Sequence, residues 1–233
     1  MKLLHARLAL AAIAGREVRK FLRQPGRLAS SLVRPLLWMV VFAAGFRQMP
    51  DLGTVMPFDP NLDYRLYMVP GLALMVCLFN GMQSSLAMVY DREMGVMRLL
   101  LTAPLPRTYL LACKLMGGAF LSVLQALAFM ILVVIWQIGL SPWQVLTALP
   151  VLALGALMLS AFGLVLSVYI RQLENFAGTM NFVIFPMFFL SSALYPIARM
   201  RDAGAEWIFR ISSLNPFTHA VEAMRQALYG EFA

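Results

Sequence analysis

Charge is missing from long stretches of this chain, and the stretches have the length of bilayer spans. Residues 115–170 contain no Asp, Glu, Lys or Arg, enough for two helices of about 20 residues, each rising 1.5 Å per residue across a hydrocarbon core of about 30 Å. Gly139-Leu140-Ser141-Pro142 interrupts the run, so it predicts a helical hairpin with spans at approximately 110–138 and 144–170. Residues 66–90 and 176–197 are equally free of charge and each about one bilayer thick. Pro70 and Pro186 are tolerable there if neighbouring groups satisfy the carbonyls they free. A fifth span is predicted at 28–46, where Leu36, Leu37, Trp38, Val40 and Val41 lie deep and Arg34, near the start, snorkels toward the headgroups.

Composition agrees with this pattern and narrows the class. Apolar and aromatic residues make up 61% of the 233 residues and charged residues 13%, against about 45–50% and about 25% in a soluble domain. A soluble enzyme and a disordered binding segment are excluded. The formal charge of +8 would suit a nucleic-acid partner, but the basic residues are sorted among the loops, which is the signature of membrane orientation. Lys2, Arg7, Arg16, Arg19, Lys20, Arg23 and Arg27 precede the first span against a single acid, Glu17, placing the N-terminus in the cytoplasm. The loop with Asp51, Asp59 and Asp63 then falls outside, and the loop with Arg92, Arg98 and Arg107, followed by Lys114, falls inside. The turn at 171–174 is inside again, and everything after Pro196 outside. Charges continue to Arg27 before the first apolar run, so no cleavable signal peptide is expected. Cys77 and Cys113 sit in or beside spans, which excludes an external disulfide framework.

Three segments are not simple spans. In residues 1–26, Leu4, Leu8, Ala11, Gly15, Val18 and Leu22 recur at helical spacing with Arg16, Lys20 and Arg23 opposite, predicting a cytoplasmic amphipathic helix lying on membrane lipid and ended by Pro25-Gly26. Residues 91–103 predict a second amphipathic helix, capped by Asp91, with Met94, Met97 and Leu101 on one face and Pro104 as its stop. Methionine and leucine on such a surface suit a groove on a moving partner, or lipid. Residues 199–233 are too charged to span and predict short amphipathic helices broken at Asn215-Pro216.

The spans offer no parts for several chemistries. No Asp, Glu, His, Lys or Arg lies inside the four uncharged segments, which argues against a proton relay. There is no HExxH pair and no G-x-x-x-x-G-K-[ST] loop, so no catalytic, metal or cofactor site is expected on this chain. What the spans carry is uncharged polarity: Asn80, Gln83 and Ser84, then Gln125, then Asn181. Such residues seek one another or a cavity, and they are the candidate lining of a substrate path. Ala156, Ser160, Gly163 and Ser167, spaced four, three and four, predict close helix packing.

Three segments in order resemble the permeases of ABC-2 type exporters. They are Tyr90-Asp91-Arg92-Glu93-x-Gly95-x-Met97-Arg98 continuing to Leu101-Thr102-Ala103-Pro104, then Phe185-Pro186-x-Phe188-Phe189-Leu190-Ser191-Ser192-x-Leu194-Tyr195-Pro196, then Asn215-Pro216-Phe217-Thr218-His219-x-x-Glu222-x-x-Arg225. The resemblance covers nearly the whole chain. It implies an all-α integral membrane fold, the ABC-2 type transmembrane domain over 28–198, in a bacterial inner membrane. It further implies that Asp91, Arg92, Glu93, Met94, Met97 and Arg98 belong to a coupling helix docking on a separate ABC ATP-binding subunit, which carries ATP and Mg. A second permease copy would complete the path, and Asn215, Pro216, Glu222 and Arg225 would lie in an outer re-entrant segment. The family's sixth span is expected to be absent here, because no apolar run follows that segment. A non-transport membrane scaffold or assembly factor is the competing class, and a channel is disfavoured by the lack of charged rings.

Overall fold

The computed structural model describes residues 15, 19, 25–46, 64–102, 106–170, 172–197, 201 and 204–230. The longer elements among them are α1 (Pro25–Phe46), α2 (Tyr64–Glu93), α3 (Val96–Leu101), α4 (Arg107–Ile135), α5 (Pro142–Tyr169), α6 (Leu173–Phe189), α7 (Glu206–Leu214) and α8 (Pro216–Tyr229). No strand occurs among the described residues. The amphipathic helix predicted over 1–26 lies, apart from residues 15, 19, 25 and 26, outside the described residues, and Pro25-Gly26 open α1.

Three helices, α2, α4 and α5, are long and apolar enough to cross a membrane. They match the predicted spans at 66–90, 110–138 and 144–170 to within a few residues. α1 contributes the shorter apolar stretch Ser30–Phe42. Over the span predicted at 176–197 the helix itself is shorter: α6 begins at Leu173 and ends at Phe189 after 17 residues, about 26 Å at the helical rise. Its last turns are replaced by a folded segment, residues 190–196. The cause is local chemistry that a hydropathy pattern does not register. Ser191 Oγ donates to the Phe188 carbonyl at 2.5 Å and accepts from the Ala193 N–H at 3.2 Å, offering the backbone a turn in place of further helix.

α2 is the hub. Every residue from Tyr67 to Met82 is buried, which is what a helix apolar on all sides requires. It packs chiefly on α5 and α4 and also touches α1, α3, α6 and α8. One close approach is to α5, where a Cβ added at Gly81 would stand 3.0 Å from both Cα and N of Ser160. Only hydrogen fits there, so the two backbones meet almost directly. Ala156, Ser160, Gly163 and Ser167 are all buried on α5, and Gly163 lies against Ser85 and the Gly81 carbonyl. The small-residue spacing is therefore a packing seam.

The predicted break between α4 and α5 falls at residues 136–141 and closes with a capping box. Ser141 Oγ accepts from the Trp143 N–H, Gln144 Oε1 accepts from the Ser141 N–H at 2.8 Å, and Pro142 opens α5, where its missing N–H costs nothing.

Candidate functional site

α2 does not stop where a membrane span would; it continues through Asp91, Arg92 and Glu93, and each of the three is tied to a different helix. Asp91 Oδ2 pairs with Lys114 Nζ of α4 at 2.5 Å, with the two side chains 11% and 13% exposed. Arg92 Nη1 donates to the Ser167 carbonyl at 3.2 Å, one of the last carbonyls of α5 and so without a helical partner. Glu93 Oε1 accepts from the Leu173 N–H at 2.9 Å, an unpaired donor in the first turn of α6, where the helix dipole favours an anion. These are three fastenings in three residues.

The helix predicted over 91–103 is accordingly divided. Asp91 does not cap it but lies within the last turn of α2. The break comes at Met94 and Gly95: Met94 N–H bonds back to Tyr90, Gly95 N–H to Arg92, and Gly95 takes φ +74°, a left-handed turn that glycine adopts without the Cβ penalty. α3 then runs for 6 residues. Met94 is 59% exposed, Arg98 is exposed and Met97 half-buried. Of the predicted coupling residues, then, Asp91, Arg92 and Glu93 bond within the chain, while Met94 and Arg98 face outward.

The candidate path residues separate into two groups. Asn80 Nδ2 donates to Gln125 Oε1 at 2.6 Å, with both residues buried. Ser84 fits against Gly118 of α4, where an added Cβ would meet its Oγ at 2.6 Å. All three lie in the α2–α4 packing, where the two amides answer one another. Gln83 is half-buried and lines a cleft toward α1. Asn181 is exposed on α6 and stands apart from them.

At the opposite end of α2 the residues predicted to lie in an outer segment hold the 190–196 segment. Asn215 is both the end of α7 and the N-cap of α8, with Pro216 at the first helical position, as the break predicted there requires. Its Oδ1 accepts from the Phe217 N–H at 3.0 Å, and its Nδ2 donates to the Met187 and Leu190 carbonyls, each at 2.7 Å. The amide thus caps the end of α6 and the start of α8 at once. Arg225, 3% exposed, donates to the Ser192 carbonyl at 2.8 Å and to Glu222 Oε1 at 2.6 Å, with its guanidinium 4.0 Å from the Tyr67 ring centroid. Tyr67 Oη donates to the same Ser192 carbonyl at 3.1 Å, and Tyr64 Oη to Leu194 at 2.7 Å. Lys114, Tyr64, Tyr67 and Ser192 were not among the site residues expected from sequence. Lys114 stands among the loop cations and Ser192 in the second family motif, and the tyrosines' place at a span end, where amphipathic rings favour the interface, is the signal that could mark them.

Among the described residues no group of His, Cys, Asp and Glu could hold a metal ion, and the two cysteines are buried and free. The chain matches the family model described as ABC-2 type transporter over residues 9–229. It is similar to the putative transport permease ycf38 of Porphyra purpurea, 31% identical over 87% of this chain and 68% of the relative. It is also similar to the probable multidrug ABC transporter permease YbhR of Escherichia coli strain K12, 28% identical over 72% of this chain and 45% of the relative. The inner membrane transport permease YadH of the same strain is 24% identical over 96% of this chain and 84% of its own length. No solved structure matches the chain. With a family match across almost its entire length and several apolar helices long enough to span a bilayer, the chain belongs to the ABC-2 type transporter family and is a multi-pass membrane protein of the transport-permease kind.

Proposed function

We propose that this chain is the membrane subunit of an exporter powered by a separate ATP-hydrolysing subunit, and that the partner grips the corner at Met94 and Arg98. The observation that carries the reading is the contrast along that corner. Three consecutive residues fasten α4, α5 and α6, and the next positions present an exposed thioether and an exposed guanidinium. A thioether adapts to an irregular apolar groove, and a guanidinium finds a carboxylate. A push delivered there is passed to three helices through bonds one residue apart. ATP and Mg belong to the partner, a second permease copy completes the path, and the corner and the N-terminus lie on the cytoplasmic side of a bacterial inner membrane, as the distribution of cations favours.

The test is affinity between the purified permease and its cognate ATPase in nanodiscs, alongside ATP-dependent export. Met94→Asp and Arg98→Glu should each weaken binding by about tenfold or more if the contact is desolvated, with thermal stability of the permease unchanged. Unaltered binding and export in the double variant would remove this corner from the coupling interface.

A further inference from the structure

Among the described residues, four buried side-chain atoms have no hydrogen-bond partner within the protein, and three of them belong to one joint. Ser192 Oγ lies in the folded segment after α6, while Thr218 Oγ1 and Arg225 Nε belong to α8. None of the three residues is more than 3% exposed. Arg225 Nη2 reaches the Ser192 carbonyl at 2.8 Å, and Nη2 and Nε project their N–H bonds from the same edge of the planar guanidinium. The unused Nε–H therefore points to the side on which Ser192 stands, and the Ser192 hydroxyl is unused as well. A helical side chain leans over the turn N-terminal to its own Cα, and the 2.6 Å bond from Nη1 to Glu222 shows that Arg225 does so. Thr218, seven positions before Arg225, is on the same side of α8 and about one turn beyond Glu222. The Tyr67 ring covers one face of the guanidinium but offers its Nε edge nothing in the plane.

We infer that the joint between α8 and residues 190–196 holds an internal water site, which accepts from Arg225 Nε and bonds to the Ser192 and Thr218 hydroxyls. A charged donor left unmade in a low-dielectric interior is costly, and two neighbouring hydroxyls add to the cost. Native interiors meet such convergent polar groups with ordered water, which needs several partners of this kind. Water also fits the chemistry, since Nε can only donate whereas each hydroxyl can donate or accept. A small anion would satisfy Nε too, but the Glu222 carboxylate already balances the guanidinium at 2.6 Å. The fourth unpartnered atom, Ser160 Oγ, is a contrast: it belongs to the seam where the Ser160 backbone meets Gly81, with neither a charged donor nor a second unused hydroxyl beside it. The inference is independent of the coupling role of Met94 and Arg98.

The experiment is water-edited solid-state NMR of the full chain, labelled with nitrogen-15, in phospholipid bilayers. The Arg225 Nε resonance is assigned by its loss in Arg225→Lys. Magnetisation from water should reach it nearly as fast as it reaches Nε of the exposed Arg210, and several-fold faster than it reaches the buried Leu72 amide. Transfer as slow as that to Leu72 would mean a dry joint, with Ser192 Oγ turned to accept from Nε directly, and would overturn the site. Thermal unfolding gives a second reading that differs in sign. Removing a hydroxyl that bonds water should lower the midpoint, by about 2–4 °C each for Thr218→Val and Ser192→Ala, whereas removing one with no partner raises it. Ser160→Ala should not lower it. A raised midpoint in both Thr218→Val and Ser192→Ala would reject the site, as would a wild-type midpoint that depends on chloride when gluconate replaces it, which would mark an anion. If either variant fails to fold, the wild-type transfer rate decides alone.

Discussion

Tyr229 of α8 donates its phenol to the Leu66 carbonyl of α2 at 2.8 Å, the acceptor that Pro70, four residues further on, has no N–H to reach. A proline inside a helix leaves that carbonyl orphaned, and here a side chain 163 residues away supplies the donor. Burial pushes the Tyr229 phenol above its ordinary pKa, with Arg225 opposing, so the donor form persists at any working pH. Tyr229→Phe should destabilise the permease by about 1–2 kcal/mol, read as thermal unfolding in detergent. In a Pro70→Ala background, where residue 70 regains its N–H, the same change should cost clearly less. Equal costs in both backgrounds would show that the bond does not answer the proline.

The Asp91–Lys114 pair is nearly buried, so the two partners should fail unequally alone and together. Lys114→Ala strands a carboxylate away from water and should cost about 3 kcal/mol or more, whereas Asp91→Leu combined with Lys114→Met should recover most of it. Unfolding midpoints of Asp91→Leu, Lys114→Met and the double variant give the coupling directly; additive losses would rule out a desolvated pair.

Arg225→Lys keeps the charge but loses the fork that reaches Ser192 and Glu222 at once and the flat stacking over Tyr67. A loss of about 1–3 kcal/mol is expected, with faster hydrogen exchange at residues 190–196 and in α8. Exchange unchanged in those segments would mean that Arg225 does not anchor them.

Membrane sidedness is open to a fusion test. A reporter active only outside the cytoplasm should be silent near Gly26 and active near Asp59 and Gly204, because the cations cluster before the first span and between α2 and α4. Activity at Gly26 would reverse the orientation.

Much of the fold was legible because lipid makes one simple demand, an uncharged run of bilayer length, and α2, α4 and α5 meet it. The breaks at Gly139 to Pro142 and at Asn215-Pro216 were legible too, since their residues carry turn and capping chemistry in their own side chains. The end of α6 was not, because the groups that finish it, Ser191 and Asn215, act through specific hydrogen bonds, and Asn215 reaches Met187 from 28 positions away. The corner after α2 was found by its mixed character, but the partition within it was hidden. Whether Asp91, Arg92 and Glu93 face a partner or their own fold depends on residues 23, 75 and 80 positions distant, and periodicity contains nothing about such pairings. The Asn80 and Gln125 amides were likewise visible as polar, yet their answer to each other, 45 residues apart, was not.

The central place of α2 limits how this molecule can move. A bundle assembled from two halves has a seam along which one half can slide, but here α1, α4, α5, α6 and α8 all pack on one shared helix. Around Gly81 and Ser160 that packing is backbone against backbone, with no long side chain to swing aside. Splaying any two of these helices apart would open the hub and expose the polar groups closed inside it. The least costly large displacement is therefore a rotation of the described bundle as one body against whatever stands beside it in the membrane. Mechanically it is a spoke wheel, and its useful degrees of freedom lie at the rim.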